Sequence, residues 1–178
     1  MLAHTLTVLQ QVKRIAGVLV VSRDSAALSQ ARQYGAQTVQ ESGSPKLNEA
    51  LTRATQVVAT WNAEGVLVLP ADLPLLCVED IEGMLALGTY APTVVIAPDR
   101  HGTGTNALLL RPPRVIKYGF GEGSCQKHQE YANEIGAELH IYQSPTLALD
   151  VDTPADLDMY REELLERDLG EPVWLGGM

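Results

Sequence analysis

Apolar positions set the reading of the chain from its first residues. Leu2, Leu6, Leu9, Val12 and Ile15 recur at helical spacing, with Gly17 as the stop, which predicts an opening helix. A short apolar strand follows at 18–21, then a helical stretch at 25–34 closed by Gly35, and a short strand at 38–39. Residues 47–61 form a longer amphipathic pattern. The Val/Leu run at 65–69 has no polar alternation, the mark of a central strand covered on both faces. A helix at 79–87, a strand at 93–97 and an apolar run at 107–110 come next. Residues 124–135 are helical with Gly136 as stop, strands are expected at 139–142 and 146–149, and a last helix starts at Pro154 and reaches about Arg167.

Strands alternating with helices predict an α/β three-layer sandwich with a mainly parallel mixed sheet. No linker or internal repeat divides the sequence, so residues 1–178 read as a single domain. Domains of this type open on a central strand whose following loop holds phosphates. Here the sequence begins inside a helix, so the expectation is a fold lacking its first strand and that strand's loop.

Composition narrows the classes. The chain has 22 acidic and 13 basic side chains, a net charge of −9, which argues against a nucleic-acid footprint and against docking on an anionic membrane. Residues 150–172 alone carry nine acids and two bases. The 46% of hydrophobic residues and 20% of charged ones are ordinary for a globular domain. No segment approaches the ~18 consecutive apolar residues of a membrane span, and the first residues lack a basic leader with an apolar core. Cys77 and Cys125, far apart and without a Cys-x-x-Cys pair, read as two reduced thiols of a cytoplasmic protein.

Four segments could carry chemistry. Asp72 sits between two prolines just past the 65–69 strand, where open α/β sheets bind ligands, and a carboxylate there suits magnesium; a turn or cap aspartate fits equally well. In Leu149-Asp150-Val151-Asp152-Thr153-Pro154-Ala155-Asp156, the residues Thr153, Pro154 and Asp156 make a helix start with the character of a capping box. Asp150 and Asp152 are left over, two apart on an extended segment, and repel each other unless a cation sits between them; the alternative is that one of them merely caps the helix. In the Gly/Thr segment at 98–106, a hairpin connection is favoured over a phosphate cradle. Phe120-Gly121-Glu122-Gly123-Ser124 leads into a helix whose first amides favour anions, with Lys117, Lys127 and His128 adding positive charge, though taken alone the segment reads first as simple capping of a surface helix by Ser124. Asn48 caps its helix or reads a base edge. His4 and His140 show no ligand spacing.

In this order, Leu47-Asn48, Leu-Pro-Ala-Asp-Leu-Pro-Leu, Asp-Arg-His-Gly-Thr-Gly-Thr-Asn-Ala-Leu, Phe-Gly-Glu-Gly-Ser and Leu-Asp-Val-Asp-Thr-Pro-Ala-Asp-Leu resemble the phosphoenolpyruvate/2-phospho-L-lactate guanylyltransferases of coenzyme F-420 biosynthesis. The resemblance runs from Met1 to about Leu165. It implies the Rossmann-like, nucleotide-diphospho-sugar transferase (GT-A-like) fold. It further implies transfer of GMP from GTP to the phosphate of phosphoenolpyruvate or 2-phospho-L-lactate, with pyrophosphate leaving. Asp72, Asp150 and Asp152 would be the catalytic metal ligands for Mg2+, Thr105, Gly121 and Ser124 would bind the acceptor, and Asn48 would lie near the guanine. The family's first strand and its Lys/Arg/Ser-rich loop have no counterpart before Leu2, so the domain reads as N-terminally truncated relative to the family. An inactive homologue acting as an interaction subunit and a nucleotidyltransferase for molybdopterin or a sugar phosphate fit the same residues. Relatives of this kind commonly pair, which leaves a homodimer open.

Overall fold

A computed structural model describes residues 1–41 and 46–166. Helix α1 (Leu2–Gln11) precedes β1 (Leu19–Ser22), α2 (Ser25–Gln33) and β2 (Gln37–Gln40). Then come α3 (Leu47–Ala59), β3 (Val66–Val68), α4 (Val78–Leu87), β4 (Thr93–Pro98) and β5 (Thr105–Arg111). The described chain closes with α5 (Ser124–Glu134), β6 (Glu138–Ile141), the single turn α6 (Pro145–Ala148) and α7 (Pro154–Glu166).

The strands form a parallel pair, β1-β2, and a four-stranded sheet ordered β3-β5-β4-β6. Within that sheet β4 and β6 are parallel, and β5 runs antiparallel to both β3 and β4. Three of its four strands therefore share one direction, as the sequence leads one to expect of a mainly parallel mixed sheet.

Side-chain alternation splits the core into two layers. Val95, Ala97, Ala107 and Leu109 face α1 and α4, packing with Val8, Leu9, Ile81 and Met84. Val94, Ile96, Leu108 and Leu110 face α5, packing with Cys125 and Ala132. Helix α7 joins through Tyr160 and Leu164 against Leu75 and Leu149. Both cysteines are free. Among the described residues no helix is long and apolar enough to cross a membrane.

Three elements differ from the sequence pattern. Helix α1 ends at Gln11, because Val12 turns extended; Val12 and Ile15 keep their helical spacing by packing on the core, not by belonging to the helix. The 65–69 run does place residues on both faces, with Val66 and Val68 toward one layer and Leu67 toward the other, but β3 is an edge strand and only half buried. Residues 146–149 are not a strand. Pro145 at a first helical position and the Ser144 hydroxyl, which accepts from the Leu147 N–H, start a helical turn there. The buried Asp80 carboxylate fixes that turn by accepting from the hydroxyls of Ser144 and Thr146, while it also caps α4 by accepting from the Cys77 N–H.

Candidate active site

The hairpin between β4 and β5 supplies the centre of the site. Its loop is organised by Asp99, whose carboxylate accepts from the Thr103 N–H at 2.8 Å. A Cβ on Gly104 would come within 2.8 Å of that carboxylate, so a larger residue there would have to displace the Asp99 side chain from the loop. The hairpin expected at 98–106 is therefore observed.

A bulge then re-aims the first residues of β5. Ala97 pairs with Ala107 but Pro98 pairs with Thr105, so Asn106 is an extra residue on its strand. Plain alternation from Ala107 would send Thr105 toward α1 and α4. With the extra residue, Thr105 instead meets α5, where its Oγ1 lies 3.1 Å from His128 Nδ1. Asn106 turns to the other layer, and its amide donates to the carbonyls of Leu147 and Ala148 and, at 3.4 Å, to Asp150 Oδ1. Two adjacent residues thus tie an acidic half of the site to a glycine-rich half.

The acidic half contains Asp72, Asp150 and Asp152. The Val151 N–H donates to the Asp72 carbonyl at 3.2 Å, which joins the loop after β3 to the segment entering α7. Asp72 Oδ1 is buried with no hydrogen-bond partner. Its carboxyl is pushed up by burial, opposed by a backbone hydrogen bond and reinforced by the negative charges of Asp152 and Asp150. Among the described residues no three acidic, histidine or cysteine side chains close into a ligating cluster. Asp156 touches this set through the Asp152 N–H, which donates to its Oδ2 at 3.2 Å, but its carboxylate serves as a helix cap. It accepts from the Thr153 N–H and hydroxyl at 2.8 Å while its own N–H donates to Thr153 Oγ1, completing the expected capping box. Arg100 reaches Asp156 at 2.6 Å. The Thr153 hydrogen bond, then others including Arg100, outweigh burial and hold the Asp156 carboxyl at about 2.

The glycine-rich half is the turn into α5. Gly121 at φ 115° and Gly123 at φ 65° occupy the left-handed region that favours glycine. Ser124 is buried at the helix start, and its N–H donates to the Gly121 carbonyl. The Cys125 N–H donates to the Thr103 carbonyl, locking α5 onto the hairpin loop. Asn48 does not use its side chain to cap α3. Its Oδ1 accepts from the Phe120 N–H at 2.9 Å and its Nδ2 donates to the Phe120 carbonyl at 3.1 Å, clamping the turn from outside. A groove of about 370 Å³ lies beside it, lined by Asn48, Arg53, Lys117 and Tyr118 among others, with none of the three aspartates in its wall.

His128 is the group whose role the sequence pattern missed. Read as added positive charge, it is instead fully buried and neutral, with burial, reinforced by the charge of Lys127, pushing its pKa down to about 4. Its place four residues after Ser124, on the same helix face, is the one local signal that it belongs with this turn.

The sequence model of the family described as "Guanylyl transferase CofC like" matches residues 1–164. The chain belongs to that family. It is 38% identical over 168 residues to a phosphoenolpyruvate guanylyltransferase of Conexibacter woesei, covering 94% of this chain and 75% of that one. A 2-phospho-L-lactate guanylyltransferase of Methanothermobacter thermautotrophicus is 38% identical over 140 residues, 79% of this chain and 61% of its own. A 3-phospho-D-glycerate guanylyltransferase of Colwellia psychrerythraea is 34% identical over 146 residues, 80% and 67% of the two chains. The family thus includes relatives named for three acceptors, one more than the sequence motifs bring to mind. In fold, the chain is similar to 4-diphosphocytidyl-2C-methyl-D-erythritol synthase, with a TM-score of 0.68 at 16% identity over 92% of this chain and 89% of that one.

Proposed function

We propose that this protein transfers GMP from GTP to the phosphate of phosphoenolpyruvate in the assembly of coenzyme F-420 in the cytoplasm. The observation that carries the reading is the bulged start of β5, which ties the segment of Asp150 to the helix start at Ser124 through Asn106 and Thr105. The family supports guanylyl transfer, and the 94% coverage by a phosphoenolpyruvate-named relative supports that acceptor over 2-phospho-L-lactate.

In this reading an acceptor phosphate oxygen forms a bond to the α-phosphorus of GTP. The bond from that phosphorus to the α–β bridging oxygen breaks, and pyrophosphate leaves with the oxygen and its electron pair. Such a step asks the protein for alignment and charge neutralisation more than for covalent chemistry. Asp72, Asp150 and Asp152 fit magnesium by their donor set and by the buried, unpartnered Asp72 oxygen. Held by these carboxylates, magnesium would supply neutralisation of the triphosphate and acceptor charge. The Thr105 and Ser124 hydroxyls and the backbone amides of the turn at Gly121 hold the acceptor's anionic groups, the Ser124 and Cys125 N–H groups being spent on the Gly121 and Thr103 carbonyls. Asn48 holds the Phe120 turn in place and presents its remaining amide hydrogen and lone pair beside the groove offered to the guanine.

The test is pyrophosphate release from GTP and magnesium with phosphoenolpyruvate, 2-phospho-L-lactate and 3-phospho-D-glycerate as separate acceptors. The expected result is release that depends on an acceptor and is fastest with phosphoenolpyruvate. A higher kcat/KM with either other acceptor overturns the substrate assignment, and no release with any of the three overturns the activity.

A further inference from the structure

The Gly119 N–H points at His128 Nε2 at 2.9 Å. A backbone amide only donates, so Nε2 carries the lone pair and the single proton of the neutral ring sits on Nδ1. Nδ1 faces Thr105 Oγ1, so in that bond the ring donates and the hydroxyl oxygen accepts. Phe120 packs edge-on against the imidazole at 4.9 Å between centroids and Tyr131 at 6.5 Å, and the ring is wholly buried, which leaves it one orientation. A threonine hydroxyl that accepts from a fixed donor keeps its own hydrogen for another partner.

We propose that His128 is a positioning residue for the acceptor: by donating from Nδ1 to Thr105 and accepting from Gly119 at Nε2, it commits the Thr105 hydroxyl hydrogen to the acceptor's anionic group and fixes the turn that carries Gly121 and Ser124. The inference rests on the reading of Thr105 as an acceptor ligand. It also explains why the ring is held neutral between the Gly119 amide and the Thr105 hydroxyl. A protonated Nε2 would face the Gly119 N–H donor to donor, and the hydroxyl orientation would be lost with that clash.

Two exchanges separate the two ring nitrogens. His128→Gln places an amide near the Nε2 position and can still accept from Gly119, but it removes the donor to Thr105. His128→Asn places an amide near Nδ1 and can restore that donor while leaving Gly119 unpaired. In the pyrophosphate-release assay, His128→Gln is expected to raise the phosphoenolpyruvate KM about tenfold, the scale of one hydrogen bond to a charged group, with the GTP KM nearly unchanged. His128→Asn recovers most of that loss while lowering the thermal midpoint. Thr105→Val is expected to match His128→Gln, and the double variant to be no worse than Thr105→Val alone, since both remove one interaction. An unchanged acceptor KM in His128→Gln, a parallel rise in the GTP KM, or multiplying effects in the double variant overturns the inference.

Nitrogen-15 NMR of histidine-labelled wild-type protein at neutral pH tests the geometry without any substitution. The expected signature is a protonated Nδ1 and an unprotonated Nε2 for His128; the reverse tautomer or an imidazolium overturns the proposal. Failure of the wild type to release pyrophosphate with any acceptor would instead strike the functional reading on which the inference stands.

Discussion

Around Thr105 the polar groups partner one another: Thr105 with His128, His128 with Gly119, Phe120 with both ends of the Asn48 amide, and Thr103 with Cys125. Around Asp72 the opposite holds. A buried carboxylate oxygen has no partner, and two further carboxylates bear on it by charge alone. The glycine-rich half is finished by the fold, whereas the acidic half is left with negative charge to neutralise. The two halves should therefore respond differently to substitution: the first in acceptor affinity and stability together, the second in rate with stability spared.

The largest effect expected is at Asp72. Asp72→Ala should cut kcat for pyrophosphate release by at least ~100-fold, the scale seen when a group stabilising transition-state charge is lost. Its urea midpoint should stay level or rise, because the exchange relieves carboxylate repulsion. A large loss of stability with the rate intact would place Asp72 among structural residues and erase the contrast between the halves. Asn48→Ala should behave in the reverse way. It deletes both bonds to Phe120 and should cost about 1 kcal/mol of stability by leaving part-buried backbone groups without their partner. It should also raise the acceptor KM through the loosened turn, as unfolding curves and acceptor titrations of the same preparation would show.

That contrast was only half visible in the sequence. The strands β4 and β5 were legible because the unbroken apolar runs Val94–Ala97 and Ala107–Leu110 are flanked by the Pro/Gly/Thr turn residues between them. The capping box of Thr153 and Asp156 was legible because its partners lie three residues apart. Residues 146–149 were misread as strand because four residues carry too little period to decide, and the outcome turned on Pro145, Ser144 and the distant Asp80. His128 was hidden for the same reason at longer range. Its tautomer depends on Gly119 and on a bulge that turns Thr105 across the sheet, and no local spacing announces an extra residue in a strand. Asn48 was visible as a polar residue at a helix start, but its partner lies 72 residues away.

The buried imidazole and the capping carboxylate at the start of α7 titrate in separate pH ranges. His128 has its folded pKa lowered to about 4 from 6.5, so between those values the unfolded chain binds more protons than the native one. Stability should thus fall as pH drops from 6.5 toward 4 and level off below. Asp156, lowered to about 2 from 3.8, contributes stability that is present above 3.8 and lost as pH falls toward 2. Urea midpoints measured across this range should show two successive declines. His128→Asn should remove the upper one and Asp156→Asn the lower one. A single decline abolished by Asp156→Asn alone would mean that the glycine-rich half has no buried neutral imidazole.

The smallest effect expected falls on Lys127, which bounds how much of the glycine-rich half's anion affinity is charge and how much is aimed hydrogen bonds. Its ammonium is exposed and donates to the Glu122 carbonyl at 2.7 Å, beside the turn but outside the buried network. An exposed cation in water is worth little and is screened by salt, so Lys127→Ala should change stability by no more than about 0.5 kcal/mol and the acceptor KM by about twofold. That twofold should shrink as salt is raised, while the effect of Thr105→Val should persist, since a buried hydroxyl's hydrogen bond is not screened. If Lys127→Ala outweighed Thr105→Val at high salt, the acceptor would be held by diffuse charge, and the bulge that turns Thr105 toward His128 would have no part in binding it.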